Sequence, residues 1–361
     1  MERYRYTHGA NNFDEYGQIN EGIIDFSSNI NPLGMPVAVI TAAKDAIELS
    51  NIYPDSACRL LTVRLAGFER VSERSLFCAG GASDIIFRAA YAMKPKRILV
   101  TAPSFSDYER AGKAAGADIA YYPLKCESFF SITRSMALFI RETLPEMVYI
   151  CNPNNPTGVL TNIDTIEEIA SVCRSMDTIL IVDECFLDFV PDSSNYSAKA
   201  LLNKYKNVMI VKAFTKIFAM PGLRLGYAIS ENESLLDRMR ICGADWPVST
   251  AAQAAGIAAI ECSGDYIDKS VQYVQKERER MINEFKLLGL TVYPSSANFI
   301  LFHCRWDINL HDALYERGFL IRDCKNFSGL TPGYYRTAVL TADKNTRLLE
   351  AMKEVKAFWQ R

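Results

Sequence analysis

The sequence predicts an α/β fold, a large domain with a mostly parallel central sheet joined to a smaller α+β domain. Three observations predict it. From Leu76 to about Ile229, short apolar runs alternate with helix-like segments, the pattern of a parallel sheet covered on both faces. Several of those runs end in turns rich in Gly, Pro, Asn or Asp, the place where open α/β sheets bind ligands. After Ser230 the texture changes to long helical spacing followed by two short strands, which suggests a second α+β unit.

Taken in order, residues 1 to about 35 are turn-rich, with Gly9, Asn11-Asn12 and the run Asp25-Phe26-Ser27-Ser28-Asn29-Ile30-Asn31-Pro32-Leu33-Gly34. They read as an irregular arm that could contact substrate. Val37–Leu49 has helical apolar spacing, closed by Ile52-Tyr53-Pro54-Asp55, and Leu60–Val71 reads as a second helix. The strand candidates that follow are Arg97–Val100, Met147–Cys151, Ile179–Val182, Val208–Val211 and Leu225–Ile229. Between them Ser83–Met93, Asp107–Ala115, Asp164–Ser175 and Ala198–Lys204 carry helical spacing. Further on come Leu235–Ile241, a break at Trp246-Pro247, helices over Thr250–Glu261 and Tyr266–Leu288, strands over Leu290–Tyr293 and Asn298–Phe302, and helices over Leu310–Arg317 and Lys344–Trp359. The expected division is a large domain over 40–235 and a small one from 1–39 and 236–361.

Composition narrows the class. With 361 residues, 49% hydrophobic and 23% charged, the chain can bury a substantial core. A net charge of -2 without a Lys/Arg run argues against nucleic-acid or membrane-surface binding, and for small anions met at local sites. The ten cysteines lie singly with no CxxC pair, and three histidines make a histidine-rich metal site improbable. The opening Met1-Glu2-Arg3-Tyr4-Arg5-Tyr6 has no apolar signal region, so a cytoplasmic location is expected.

Chemistry concentrates in a few segments. Lys212 to Tyr227 follows an apolar strand and sets Lys216 and Arg224 eight residues apart in a Gly/Pro-punctuated turn. A lysine amine can form a Schiff base with the aldehyde of pyridoxal phosphate (PLP), while Thr215 and Arg224 suit its phosphate. Gly80-Gly81-Ala82-Ser83 opens a helix and could present backbone N–H groups to the same phosphate, or form a plain left-handed turn. Asn155 sits in Asn152-Pro153-Asn154-Asn155-Pro156-Thr157-Gly158 after a strand, where its amide could bond a phenolate oxygen. Asp183 ends another strand; a buried carboxylate there needs a cation, which a pyridinium supplies, although the dipeptide taken alone favours an N-cap aspartate. Phe105 could stack on a planar ring or belong to the core. Arg322 and Arg336 are candidates for binding carboxylate or phosphate, or for surface ion pairs.

With these pieces in order, the chain resembles the fold type I PLP enzymes, in the branch that holds histidinol-phosphate aminotransferase and threonine-phosphate decarboxylase. The resemblance runs from His8-Gly9-Ala10-Asn11 and Asn31-Pro32-Leu33-Gly34 through Tyr53-Pro54-Asp55, the Asn155 and Asp183 turns, and Thr215-Lys216 to Gly226-Tyr227. The His-Gly opening, the Asn-Pro-Leu-Gly segment and the Arg322/Arg336 pair look like the decarboxylases of cobalamin biosynthesis. The resemblance implies that Lys216 bonds the cofactor aldehyde, Asp183 pairs with the ring nitrogen, Asn155 bonds ring O3′, and Phe105 stacks on the ring. It implies a phosphate cradle of Gly81, Ala82, Ser83, Thr215 and Arg224, with Tyr53 reaching in from a second subunit of a homodimer. His8, Asn31, Asn155, Arg322 and Arg336 are the implied substrate contacts.

Some positions depart from the pattern. Ala213 stands where a serine is common, Phe186 where the aminotransferase branch has a tyrosine, and Leu340 where a further basic residue is frequent. The expected reaction is decarboxylation of L-threonine O-3-phosphate to (R)-1-aminopropan-2-yl phosphate. The alternatives are a histidinol-phosphate-type aminotransferase, an O-phosphoserine decarboxylase giving ethanolamine phosphate, and a non-catalytic PLP-fold binding protein.

Overall fold

The computed structural model describes Gly9, Asn12, Phe13 and residues 17–359. A short strand β1 (Ile24–Asp25) and helices α1 (Val37–Ile47) and α2 (Arg59–Glu69) precede the sheet. The central sheet has seven strands: β2 (Leu76–Ala79), β3 (Arg97–Ala102), β4 (Asp118–Pro123), β5 (Met147–Cys151), β6 (Ile179–Asp183), β7 (Val208–Ala213) and β8 (Gly226–Ile229), in spatial order 2-8-7-6-5-3-4. All neighbours pair in parallel except β8, which runs antiparallel to both β2 and β7. β5, β6 and β7 are buried along their whole length, as strands covered on both faces must be.

Helices α3 (Ala82–Met93), α4 (Ser106–Ala114), α5 (Ser135–Thr143) and α6 (Ile163–Ser175) alternate with these strands. Asn162 caps α6 by accepting from Thr165 N at 2.9 Å. The short α7 (Phe214–Ile217) turns out of β7, and α8 (Glu233–Ile241), α9 (Thr250–Glu261) and the long α10 (Ser263–Leu287) follow β8. A second sheet combines β9 (Thr291–Val292), β10 (Phe299–His303), β12 (Arg322–Asp323) and β13 (Tyr334–Ala338), in order 12-13-10-9 and antiparallel throughout. β11 (Phe319–Leu320) pairs in parallel with β1 and so ties the N-terminal arm to this region. Helices α11 (Leu310–Tyr315) and α12 (Ala342–Trp359) complete the chain. Among the described residues no helix is long and apolar enough to cross a membrane.

Two apolar cores result, one around the seven-stranded sheet and one that joins Phe26 to Phe285, Phe302, Leu348 and Met352. The larger core continues past residue 235, taking in Met239, Val248, Ala252 and Ala259, so the apolar packing does not break there.

Several elements differ from the sequence expectation, the strand Tyr334–Ala338 among them. β4 and α5 had no clear signal, because β4 is an edge strand with mixed burial and lacks a clean apolar run. The helix expected over Ala198–Lys204 is a single 3-10 turn, Ala198–Leu201. Its start is held by Ser197, whose hydroxyl accepts from Lys199 N at 3.2 Å.

Candidate active site

The carboxyl ends of the parallel strands open into a cavity of about 500 Å³. Lys216, Asp183, Asn155, Phe105, Arg322 and Arg336 all line it. Residues that are as much as 231 positions apart in sequence, Phe105 and Arg336, thus face one space.

Lys216 enters from α7, the first turn after β7. Its Nζ donates to Ser28 O at 2.9 Å. Burial, reinforced by the charge of Arg336, lowers its ammonium to about 8. Asp183 ends β6, 4% exposed. Its Oδ2 accepts from Tyr108 Oη at 2.7 Å and its Oδ1 from Cys185 N at 3.0 Å. Burial raises its carboxyl above the usual range, against the pull of these donors.

The Asn-rich turn divides its labour. Asn154 is spent on structure: its Nδ2 donates to Pro103 O and Thr157 Oγ1, both at 3.0 Å, while its Oδ1 accepts from Ser104 Oγ at 3.0 Å. That lock joins the turn after β5 to the turn after β3 and leaves Asn155 facing the cavity. Asn155 Oδ1 accepts from Arg336 Nη1.

Arg336 is 5% exposed, and Arg322 and Arg336 are direct partners across β12 and β13. Arg336 Nη2 donates to Ser27 O at 2.6 Å. Its hydrogen-bond partners are thus neutral oxygens, and burial lowers its guanidinium to about 10. Arg322 donates to Asn326 Oδ1 at 2.7 Å and lies over the Phe327 ring at 5.1 Å.

At the other end, the N-terminus of α3 meets the Lys216 turn. Gly81 has φ 97°, and a Cβ there would stand 2.9 Å from Arg224 Nη2. Only glycine lets the guanidinium lie so close. Gly226 is equally confined: a Cβ would come within 2.8 Å of Ala82 N. Ala82, Ser83, Thr215 and Arg224 line the cavity here, so backbone N–H groups, a hydroxyl and a guanidinium converge as an anion site requires. Ser83 differs from its expected part, because its hydroxyl donates to Asp107 Oδ2 at 2.6 Å.

Asn31 is a correction. It does not line the cavity; its Nδ2 donates to Ile217 O and Ser270 Oγ, each at 2.7 Å. It braces the backbone beside Lys216. Tyr53 also lies outside the cavity, 76% exposed and stacked on Trp246 at 4.4 Å. His8 lies outside the described residues.

Three contributors escaped the sequence reading. Tyr108 offered only its place three residues after Phe105, in the first turn of α4. Ser27 and Ser28 act through backbone carbonyls, which no residue type announces.

A sequence profile of the class I and II aminotransferases matches residues 21–352. The chain belongs to that family. It is 33% identical over 360 residues to a threonine-phosphate decarboxylase of Salmonella typhimurium, covering 98% of each chain. The histidinol-phosphate aminotransferase structure from Clostridium acetobutylicum superposes with a TM-score of 0.87 at 30% identity, over 93% of this chain and all of that one. The Sinorhizobium meliloti histidinol-phosphate aminotransferase, solved with pyridoxal 5′-phosphate, shares the fold at 19% identity, with a TM-score of 0.83 over 92% of this chain and 91% of that one.

The protein is therefore a fold type I enzyme whose cofactor is pyridoxal 5′-phosphate. The residues present fit that group. Asp183 is a desolvated carboxylate whose hydrogen-bond donors are neutral, so a protonated ring nitrogen would supply the missing cation. The Gly81–Arg224 cradle offers donors to a phosphate.

Proposed function

We propose that this enzyme decarboxylates L-threonine O-3-phosphate to (R)-1-aminopropan-2-yl phosphate, the linker of the cobalamin nucleotide loop. The observation that carries the reading is Arg336, a buried guanidinium bonded only to neutral oxygens and set opposite Arg322 in the cavity of Lys216. A buried cation with no carboxylate bonded to it, Asp25 acting on it only from a distance, calls for an anion, and a second guanidinium across the strand pair suits a substrate with two anionic groups. The 33% identity to a threonine-phosphate decarboxylase over the whole chain supports the same substrate class.

Pyridoxal 5′-phosphate would supply an aldehyde for the substrate amine and an electron-poor ring that accepts the electron pair of the broken bond. Lys216 Nζ would carry the cofactor before substrate arrives. Once displaced, its amine, lowered to about 8, can take up and return a proton near neutral pH. Asp183 would hold the ring-nitrogen proton. Asn155, whose oxygen is taken by Arg336, has its amide hydrogens for ring O3′. Thr215, Arg224 and the Gly81–Ser83 turn would hold the cofactor phosphate. Arg336 would fix the substrate carboxylate and Arg322 its phosphate, and so would decide which bond of the substrate is oriented to break.

The second reading is a histidinol-phosphate aminotransferase, favoured by the 30% identity to the Clostridium enzyme. Phe186 weighs against it. Its ring lies 5.9 Å from Lys216 Nζ, so no phenol stands there to bond ring O3′.

We also infer a homodimer. α1 and α2 both pack on α9, and Val37, Ile47, Leu60 and Val63 on them, with Tyr53 between them in sequence, are large apolar side chains left exposed. The family resemblance would then have Tyr53 reach the cofactor phosphate of the second subunit. Sedimentation should show a dimer that Leu60→Asp dissociates.

The deciding experiment offers the holoenzyme O-phospho-L-threonine, O-phospho-L-serine, or histidinol phosphate with 2-oxoglutarate. The expected result is CO₂ from phosphothreonine, absent in Lys216→Ala. Glutamate formation without CO₂ overturns the decarboxylase reading in favour of the second. A preference for phosphoserine overturns the assigned substrate.

A further inference from the structure

Tyr108 is assigned no part in the reading above, yet it makes the shortest contact to Asp183. It sits on α4, fully buried, with its ring stacked on Tyr149 of β5 at 4.9 Å and 10°. Tyr149 is anchored in turn, since its hydroxyl donates to Ile86 O at 3.2 Å. Phe105 also meets the Tyr108 ring, edge-on at 5.7 Å and 81°. The Tyr108 phenol therefore has one orientation, and its hydroxyl points at Asp183 Oδ2 from 2.7 Å. Burial and the adjacent carboxylate push the phenol well above its usual range, so it remains a donor.

The groups around Asp183 are few. Tyr108 and Cys185 donate to it, Cys151 and Tyr149 are its buried neighbours, and Asp107 opposes it as a like charge. Lys216 lies across the cavity. A carboxylate oxygen accepts two donors. Tyr108 Oη and Cys185 N take one position each and the Cys185 thiol a third, which leaves the carboxylate room for one more donor.

From this geometry we propose that Tyr108 is a positioning residue that sets how strongly Asp183 binds the ring-nitrogen proton. The inference rests on the placement of Asp183 opposite that nitrogen. A proton shared between two bases lies on the stronger one. A donor on Oδ2 stabilises the charged carboxylate and weakens it as a base, so the proton stays on the ring and the ring stays electron-poor. Without the phenol the carboxylate becomes a stronger base and the proton moves toward it. No atom of Tyr108 needs to touch substrate for this to happen.

The test uses holoenzyme loaded with cofactor labelled with ¹⁵N at the ring nitrogen, read by NMR in parent protein, Tyr108→Phe, Tyr149→Phe and Asp183→Asn. Tyr108→Phe keeps the stack and removes one oxygen. Its ¹⁵N signal should move toward the unprotonated position, and kcat should fall by roughly tenfold or more, the scale of one hydrogen bond to a charged group. Tyr149→Phe disturbs the same stack without touching Asp183, and should leave the signal in place. If Tyr108→Phe does not fold, 3,5-difluorotyrosine at position 108 replaces it. Its more acidic phenol should move the signal in the opposite direction, toward fuller protonation.

An unmoved signal in Tyr108→Phe, or equal shifts in Tyr108→Phe and Tyr149→Phe, overturns the inference. If Asp183→Asn leaves the signal unmoved, the placement of Asp183 itself is wrong, which separates that failure from the failure of Tyr108. The NMR readout does not depend on which substrate the enzyme takes.

Discussion

Asn31 holds the Lys216 turn at two adjacent residues: its backbone N–H donates to Lys216 O at 3.2 Å, and its amide donates to Ile217 O at 2.7 Å. The same amide reaches Ser270 Oγ on α10 at 2.7 Å. The N-terminal arm, the Lys216 turn and the long helix meet in one buried side chain.

Asn31→Ala leaves Ile217 O and Ser270 without that partner, at a cost of about 1–3 kcal/mol for the buried groups. Urea denaturation should show the loss, and kcat should fall because Lys216 is less well fixed. KM for the phosphorylated substrate should hold, since the side chain lies outside the cavity. A large rise in KM with stability unchanged would return Asn31 to the substrate.

Arg336 is the residue on which the proposed substrate site turns. Lysine keeps the charge but loses the planar fork that bonds Asn155 and Ser27 O together. Arg336→Lys should lower kcat/KM for O-phospho-L-threonine by at least roughly tenfold, mostly through KM. Cofactor affinity, measured by fluorescence of the bound pyridoxal group, should change little.

Lys216 makes stability depend on pH once the cofactor is removed. Burial, then the charges of Arg336 and Arg224, lower its ammonium from 10.5 to about 8. Between those values the unfolded chain holds the proton more often than the folded one, so this residue's contribution rises as pH climbs from about 8 to 10.5 and is lost on the way down. Lys216→Met should therefore be more stable than its parent at pH 7.5, and the gap should narrow by pH 10. A constant gap in urea unfolding across that range would refute the assignment.

Away from the cavity lies a buried ionic cluster. Glu69 accepts from Lys199 at 2.7 Å and Tyr227 at 2.5 Å, and pairs with Lys212 at 3.2 Å. Burial alone would raise its carboxyl, but the two ammonium groups win and lower it to about 2. Its stabilisation is present above 4.5 and lost as pH falls toward 2. Glu184, beside Asp183, is raised to about 7 by burial, so its contribution falls as pH rises from 4.5 to 7. Glu69→Ala leaves Lys212 buried with one counterion fewer and should cost about 3–5 kcal/mol. Thermal scans should show Glu69→Gln with a shallower acid limb than the parent, and Glu184→Gln with a flatter profile from 4.5 to 7.

The sequence by itself determined the alternation that builds the sheet, the family, and the turns that carry Lys216, Asp183, Asn155 and Arg224. Apolar period and Gly/Pro/Asn punctuation are local properties, and a parallel sheet places every strand-end turn at one edge. Side-chain type is enough there, because these residues act through their own functional groups. Tertiary structure alone decided the rest. Asn31 has the chemistry of a substrate contact, and only its distance to Ile217 and Ser270 shows that its donors are spent. Ser83 likewise points to Asp107, a partner 24 residues away. Ser27 and Ser28 serve through carbonyls that every residue possesses, and Tyr108 matters because two rings pin its hydroxyl to Asp183. Pattern reports what a residue can bond. Packing decides which of those bonds are already made, because a buried polar group takes the nearest partner that the fold supplies.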